Sequence, residues 1–184
     1  SYHGITYAEH FGKEGAFITK ATAQLMRDFG CVQSPINAYM LNLGLESLHV
    51  RMARHCENGQ AVAEFLASHP KIAYVNYCGL PGDKYHAVAE KYLPNGSCGV
   101  VSFGVKGGRE AAAAFMGHLK IAAIETHVAD ARTCCLHPAS STHRQMNDEQ
   151  LIAAGVQPDL VRMSCGLEDK NDLIHDIAQA LDQI

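Results

Sequence analysis

The sequence has little charge, no surplus of basic residues and no long apolar stretch. Charged residues make up 18% of the chain, and 15 lysines and arginines face 19 aspartates and glutamates. Nucleic-acid-binding proteins usually have a basic face, so we expect no nucleic-acid partner. A helix that crosses a bilayer needs roughly 18–20 apolar residues in a row. No run approaches that length, so we expect no membrane partner either.

The cysteines lack the even number and regular spacing of a disulfide framework. Several of them stand in apolar runs such as "VNYCGL" and "RMSCGL". We therefore expect a reduced, cytoplasmic protein in which cysteines act as small core residues. The seven cysteines are at positions 31, 56, 78, 98, 134, 135 and 165.

The chain also has no initiator methionine and begins "SYHGITY". We expect a piece of a longer polypeptide. Its 184 residues, of which 47% are hydrophobic, suffice for one domain, or one domain plus an extension, with a sizeable core.

Helical patterns fill the first part of the chain. One helix is predicted to end at Gly30, because glycine readily adopts the left-handed conformation that closes a helix. The next is predicted to begin with Ser34 as N-cap and Pro35 in the first helical position. An apolar stripe then continues to Pro70. We therefore predict a helical linker segment over residues 1–69.

From residue 70 onward, short apolar strands alternate with short helices. This pattern predicts a compact α+β domain, an α/β sandwich, over residues 70–184. We expect one sheet with helices on one face. The other face of the sheet would then be free to meet another group.

Two cysteines and two histidines lie close together in "TCCLHPASSTHRQ". Cys134, Cys135, His137 and His143 could form a metal site, a Cys/His nucleophile pair, or a strand end that runs into a turn at Pro138. Structural zinc ligands usually come as spaced pairs, whereas adjacent residues of a strand point to opposite faces. A catalytic thiolate needs a polar setting, and this strand is apolar. We favour the strand and turn, and predict no metal site in the chain.

Arg162 stands among apolar residues in "LVRMSCG". A buried guanidinium without an anionic partner is costly, so we expect one nearby. The partner could be Glu168 or Asp169, or it could be a ligand carboxylate held by two hydrogen bonds. The pattern leaves both open. His127 and Asp130 could likewise be a pair in a site, or the histidine could simply be packed.

Longer stretches carry a resemblance to a known family. "HPASSTHRQM", "VRMSCGLED", "GLESLHVRMARHCENGQAVAEFL" and "YLPNGSCGVVSFGVKGG" resemble the Cys/Met-metabolism enzymes that use pyridoxal phosphate, closest to the O-acetylhomoserine sulfhydrylases. The resemblance covers essentially the whole chain. It implies the C-terminal small domain of a fold-type-I transferase, a small and mainly antiparallel sheet with helices on one face, preceded by long helices.

The resemblance also assigns roles. Arg162 matches the arginine that holds the substrate α-carboxylate. His127 matches a position that borders the same carboxylate and is often serine or asparagine in relatives. The segment up to His137 becomes a strand and turn beside the active site, without a metal or a cysteine nucleophile.

The family's cofactor lysine stands in a Ser-x-Thr-Lys motif that this sequence lacks. Lys20 matches a region after that lysine. The resemblance therefore implies pyridoxal phosphate only in a full-length parent, with no catalytic or cofactor-binding residue in this chain. It implies as partners an amino-acid substrate, an N-terminal cofactor domain of the same polypeptide, and further copies in a homo-oligomer, a dimer or tetramer.

The implied reaction replaces the acetate of O-acetylhomoserine by sulfide or a thiol, a step of methionine and homocysteine biosynthesis. The alternative within the family is a γ-lyase, such as methionine gamma-lyase or a cystathionine-type enzyme. An alternative of another class is a cofactor-free interaction or regulatory module.

Because the Ser-x-Thr-Lys motif is missing, we predict that this chain alone binds no pyridoxal phosphate covalently. The 184-residue chain mixed with pyridoxal phosphate and reduced with borohydride should show no lysine labelled to stoichiometry, because no lysine here stands in the Ser-x-Thr-Lys motif of the family. Peptide mapping by mass spectrometry measures the label. One lysine labelled on every chain would contradict the prediction.

Overall fold

The computed structural model describes residues 2–184, and its internal contacts divide the chain into two units. The first unit ends at Ser47, and the second is Leu48–Ile184. The sequence-predicted boundary between residues 69 and 70 stays a prediction. In residues 2–184, no helix is both long enough and apolar enough to cross a membrane.

The first unit is helical. A short 3-10 turn (Tyr2–Gly4) precedes α1 (Tyr7–Lys20), a π-helical turn (Ala21–Met26), α2 (Arg27–Phe29) and α3 (Pro35–Glu46).

The predicted helix ends in this unit are confirmed. Gly30 closes α2 with a left-handed backbone (φ 67°), a conformation that costs glycine little. The Ser34 side chain caps α3 by accepting a hydrogen bond from the Asn37 backbone N–H. Pro35 occupies the first turn, where its missing N–H costs no helical hydrogen bond.

The second unit carries a five-stranded sheet in the order β1-β2-β5-β4-β3. Three neighbouring pairs are antiparallel, and only β3 and β4 run parallel. The predicted α+β class with a mainly antiparallel sheet is therefore confirmed. The strands are β1 (Ile72–Asn76), β2 (Val100–Val105), β3 (Ala123–Ile124), β4 (Cys134–Leu136) and β5 (Leu160–Ser164).

Five helices belong to this unit. They are α4 (Leu48–Ser68), α5 (His86–Tyr92), α6 (Gly108–His118), α7 (Asp148–Ala153) and α8 (Lys170–Asp182). α4 and α6 contact the sheet, and α8 packs against both of these helices.

One face of the sheet forms the core. Residues that lie opposite one another in a sheet point to the same face. Val101, Met163 and Cys135 lie opposite one another on β2, β5 and β4, and all three are fully buried. Phe103 continues this face and meets Phe115 of α6 edge-on, with ring centroids 5.8 Å apart.

The other face of the sheet is more polar. Ser102, Arg162 and Leu136 lie opposite one another on β2, β5 and β4. Ser164 and Cys134 form the next row of the same face. The alternation of a strand thus places Arg162 and Cys134 away from the hydrophobic core.

A buried carboxylate of α8 fixes the turn that leads into β3. Asp176 accepts hydrogen bonds from the backbone N–H groups of Lys120 (2.8 Å), Ile121 (2.9 Å) and Ala122 (3.1 Å). Only 4% of Asp176 is exposed. Hydrogen bonds to a charged acceptor are stronger than neutral ones, so this residue holds the start of the segment that forms the site described below.

Asp176→Ala tests that role. Removing the carboxylate leaves backbone donors without a partner, so the free energy of unfolding should fall by about 2–3 kcal/mol. Urea unfolding measures it. The matched control is Asp182→Ala on the exposed end of the same helix, which should change it by less than about 0.5 kcal/mol. Equal unfolding midpoints for the two variants would contradict the prediction.

Candidate functional site

Arg162 lies in the middle of the central strand β5 and on the polar face of the sheet. Its Nη2 donates to the carbonyl of Thr126 at 2.8 Å and to that of His127 at 3.4 Å. Its Nε is buried and has no hydrogen-bond partner among residues 2–184. A guanidinium carries five N–H donors, so most of its hydrogen-bonding capacity is unused.

The two acidic residues that could have paired with Arg162 are engaged elsewhere. Glu168 accepts from the Thr133 backbone N–H at 2.6 Å and from the Thr133 hydroxyl at 2.8 Å. Asp169 caps α8 by accepting from the Asn171 N–H at 2.8 Å. Within the described chain Arg162 forms no ion pair. Its positive charge therefore has no carboxylate partner among residues 2–184.

The segment after β3, residues 125–130, lies beside Arg162 and is held by β5 at two points. Arg162 donates to its carbonyls, and the Ser164 hydroxyl accepts from the Ala129 N–H at 2.9 Å. Ala129 has a left-handed backbone (φ 61°), which is uncommon for a residue with a side chain. Strain of this kind persists where surrounding contacts impose it, and it often occurs at functional sites. We refer to residues 125–130 as the site loop.

The backbone carbonyl of His127 accepts a hydrogen bond from Arg162, and its imidazole ring lies near two carboxylates. Its side chain is 62% exposed. Its Nδ1 lies 3.0 Å from Glu125 Oε2 and 3.7 Å from Asp130 Oδ2. The sequence left open whether His127 pairs with Asp130 or is simply packed, and it did not point to Glu125, which lies closer.

Asp130 is held in its charged form. The Arg132 backbone N–H donates to it at 3.0 Å and lowers the pKa of the Asp130 carboxyl, and the charges of Arg132 and His127 lower this pKa further. The site loop therefore carries negative charge beside an exposed histidine.

The residues of "TCCLHPASSTHRQ" form a strand and a turn, as predicted. Cys134 and Cys135 lie on opposite faces of β4, and Pro138–Ser140 is a 3-10 turn. His137 is buried, with Nδ1 at 2.9 Å from the Ser140 hydroxyl and Nε2 at 2.9 Å from the Pro158 carbonyl.

The four side chains of the sequence motif have separate surroundings. His143 lies beside the hydroxyl of Thr142 at 2.9 Å, and both ring nitrogens of His137 have partners. Burial raises the pKa of the Cys135 thiol far above its usual range, and burial followed by the charge of Glu125 raises that of Cys134. Neither thiol has the electropositive setting of a catalytic thiolate.

Comparison with models of protein families identifies the family of this chain. The model of the Cys/Met metabolism PLP-dependent enzymes matches residues 11–182. The chain belongs to this family. The sequence resemblance to the pyridoxal-phosphate enzymes of Cys/Met metabolism is thereby confirmed.

Curated proteins with similar sequences support this family assignment. The chain is 44% identical to an O-acetyl-L-homoserine sulfhydrylase of Leptospira meyeri, over 100% of this chain and 43% of the relative. It is 43% identical to O-acetyl-L-homoserine sulfhydrylase 1 of Thermus thermophilus, over 98% of this chain and 42% of the relative. A homocysteine synthase of Schizosaccharomyces pombe is 42% identical, with the same two shares. The chain thus spans less than half the length of these relatives.

A solved structure has the same fold. An O-acetylhomoserine (thiol)-lyase of Campylobacter jejuni matches with a TM-score of 0.83 and 35% identity, over 98% of this chain and 42% of that protein. That protein carries a pyridoxyl-lysine monophosphate.

Five of the eight lysines are engaged in contacts that do not suit the role of holding that cofactor. Lys71 donates to the carbonyls of Leu181 and Ile184, and Lys106 donates to that of Pro70. Others pair with Glu57 or lie over tyrosine rings (Lys170, Lys84 and Lys91). None follows a Ser-x-Thr sequence. We therefore assign no cofactor chemistry to the residues described.

The thiol environments generate a prediction about reactivity. Cys31 is exposed, whereas Cys135 and Cys165 are fully buried, and burial raises the pKa of Cys165 to about 12. Iodoacetamide should label Cys31 in the folded chain and label the other two only after unfolding, because the thiolate is the reactive form. Peptide mass spectrometry over time measures the rates. Cys135 labelled as fast as Cys31 would instead support a reactive cysteine in β4.

Proposed function

We propose that this chain is the C-terminal portion of an O-acetylhomoserine sulfhydrylase and that it binds the α-carboxylate of the amino-acid substrate. The full-length enzyme would replace the acetate of O-acetylhomoserine by sulfide or a thiol, which yields homocysteine or a related thioether in methionine biosynthesis. The names of the relatives support the reaction. The observation that carries the binding role is the unpaired charge of Arg162.

The surroundings of Arg162 favour an anionic ligand. Desolvating a guanidinium costs free energy that a protein normally recovers through a counter-ion. The described chain gives Arg162 two backbone carbonyls and no carboxylate. A substrate carboxylate supplies the missing charge and accepts two parallel hydrogen bonds, a geometry that also fixes its orientation.

The site loop would orient this clamp. The carbonyls of Thr126 and His127 hold Nη2, so the guanidinium plane is set before a ligand arrives. A preorganised donor loses less conformational entropy on binding than a mobile one. We therefore include His127 in the substrate-binding site through its backbone carbonyl.

The wider organisation follows from the same proposal. Residues 1–69 would link to an N-terminal domain of the same polypeptide that holds pyridoxal phosphate, and residues 70–184 would form the small domain. The cofactor would supply the electron sink for the reaction, and this portion would place the substrate. The parent would be a cytoplasmic homo-oligomer, a dimer or tetramer.

Arg162→Lys in the full-length parent tests the clamp. Lysine keeps the charge but loses the planar fork, and misplacing the α-carbon should lower kcat/KM for O-acetylhomoserine by about 100-fold. The melting temperature should stay near that of the parent, because no protein ion pair is lost. Homocysteine formed from O-acetylhomoserine and sulfide is the measured product.

Arg109→Lys is the matched control. Arg109 donates to the Ala139 carbonyl and pairs with Asp148, so its role is structural. The Arg109→Lys substitution should lower the melting temperature and change kcat/KM little. Normal kinetics with a clear drop in melting temperature for Arg162→Lys would show that Arg162 is structural as well. A parent that makes no homocysteine but releases a keto acid from methionine would be a γ-lyase.

A further inference from the structure

We propose that Glu125, His127 and Cys134 bind a divalent transition metal, with Zn²⁺ as the preferred ion. We name these three residues the triad. This inference does not rest on the sulfhydrylase assignment, because the ligands differ from the arginine that carries it.

The ligand atoms of the triad lie together without a metal. One atom from each residue falls within 4.8 Å of the other two. His127 Nδ1 is 3.0 Å and Cys134 Sγ is 3.8 Å from Glu125 Oε2. Tetrahedral zinc, with bonds of about 2.0–2.3 Å, separates neighbouring ligand atoms by about 3.3–3.8 Å. Small side-chain rotations would therefore complete the geometry.

The fold brings these residues together through the parallel pairing of β3 and β4. Ala123 lies opposite Cys134, and the Glu125 N–H donates to the Cys135 carbonyl at 3.1 Å. Glu125 therefore lies beside Cys134 although nine positions separate them in sequence. His127 stands two residues farther along the site loop, whose backbone is held by Arg162.

The donor set suits zinc. A thiolate, an imidazole and a carboxylate are its usual protein ligands, and calcium and magnesium would instead require oxygen alone. Three protein ligands leave a fourth position for water. Asp130 Oδ2 lies 3.7 Å from His127 Nδ1, so a second carboxylate borders the triad.

The neighbouring guanidinium of Arg132 contacts a different oxygen of Glu125 from the one that faces the proposed metal position. Arg132 Nη2 lies 3.5 Å from Glu125 Oε1, whereas His127 and Cys134 face Oε2. The two oxygens of Glu125 can therefore serve Arg132 and the metal at the same time. Without metal, His127 Nδ1 and Glu125 Oε2 lie 3.0 Å apart and fill the same space, so a bound metal would replace this contact.

The triad departs from our sequence prediction of no metal site in the chain, and it differs from the set of Cys134, Cys135, His137 and His143 that the sequence brought together. Only Cys134 is shared. Cys135 points into the core, and His137 uses both ring nitrogens in hydrogen bonds. The residues of the sequence motif are neighbours along the chain, whereas the triad comes from two segments that pair in the sheet.

Zinc titration of the tag-free 184-residue chain tests the proposal. Competition with a chromogenic chelator should show one equivalent bound, and Cys134→Ser and His127→Gln should each weaken the affinity by at least about tenfold. Cys31→Ser and His143→Gln are the matched controls and should leave the affinity unchanged. Circular dichroism confirms that each variant is folded.

Cobalt substitution gives a second readout on the unmutated chain. Bound Co²⁺ should show thiolate-to-cobalt charge-transfer absorption, which zinc abolishes by displacement and which Cys31→Ser retains. This measurement decides the matter if Cys134→Ser fails to fold.

The proposal would be overturned by the absence of stoichiometric zinc on the wild-type chain, by unchanged affinity in folded Cys134→Ser, or by a cobalt complex without thiolate absorption. Loss of binding in His143→Gln equal to that in His127→Gln would also reject the triad, because it would place the metal on the sequence motif.

Discussion

The register of β5 between β2 and β4 is the constraint on which the structure depends. Because side chains alternate along a strand, this register sends Val161 and Met163 into the core and leaves Arg162 and Ser164 on the opposite face. A slip of one residue would bury the guanidinium among the helices and expose the apolar residues. The same alternation that builds the core therefore also builds the candidate site.

From that strand, two side chains shape the site loop. Arg162 holds two of its carbonyls, and Ser164 holds the N–H of Ala129 in its left-handed conformation. The loop in turn presents His127 and Glu125 to Cys134. The proposed carboxylate clamp and the proposed metal triad thus share one loop but use different atoms of it, since the clamp uses backbone carbonyls and the triad uses side chains.

Local patterns predicted much of the fold but only part of the site. Ser34 and Gly30 mark helix ends because capping depends on a few neighbouring residues, and the turn at Pro138 follows from the same kind of signal. The meeting of Glu125 with Cys134 could not be predicted, because it requires the pairing of β3 with β4. The sequence also left open whether Glu168 pairs with Arg162, and the structure shows Glu168 bound to Thr133 instead.

The most direct measurement is a crystal structure of the full-length parent with a bound amino-acid substrate analogue. We expect both carboxylate oxygens to lie at about 2.7–3.0 Å from nitrogens of the Arg162 guanidinium. We also expect the carbonyls of Thr126 and His127 to keep their hydrogen bonds to Nη2. A structure in which Arg162 pairs with a protein carboxylate, while another residue holds the analogue, would contradict the proposed role of Arg162.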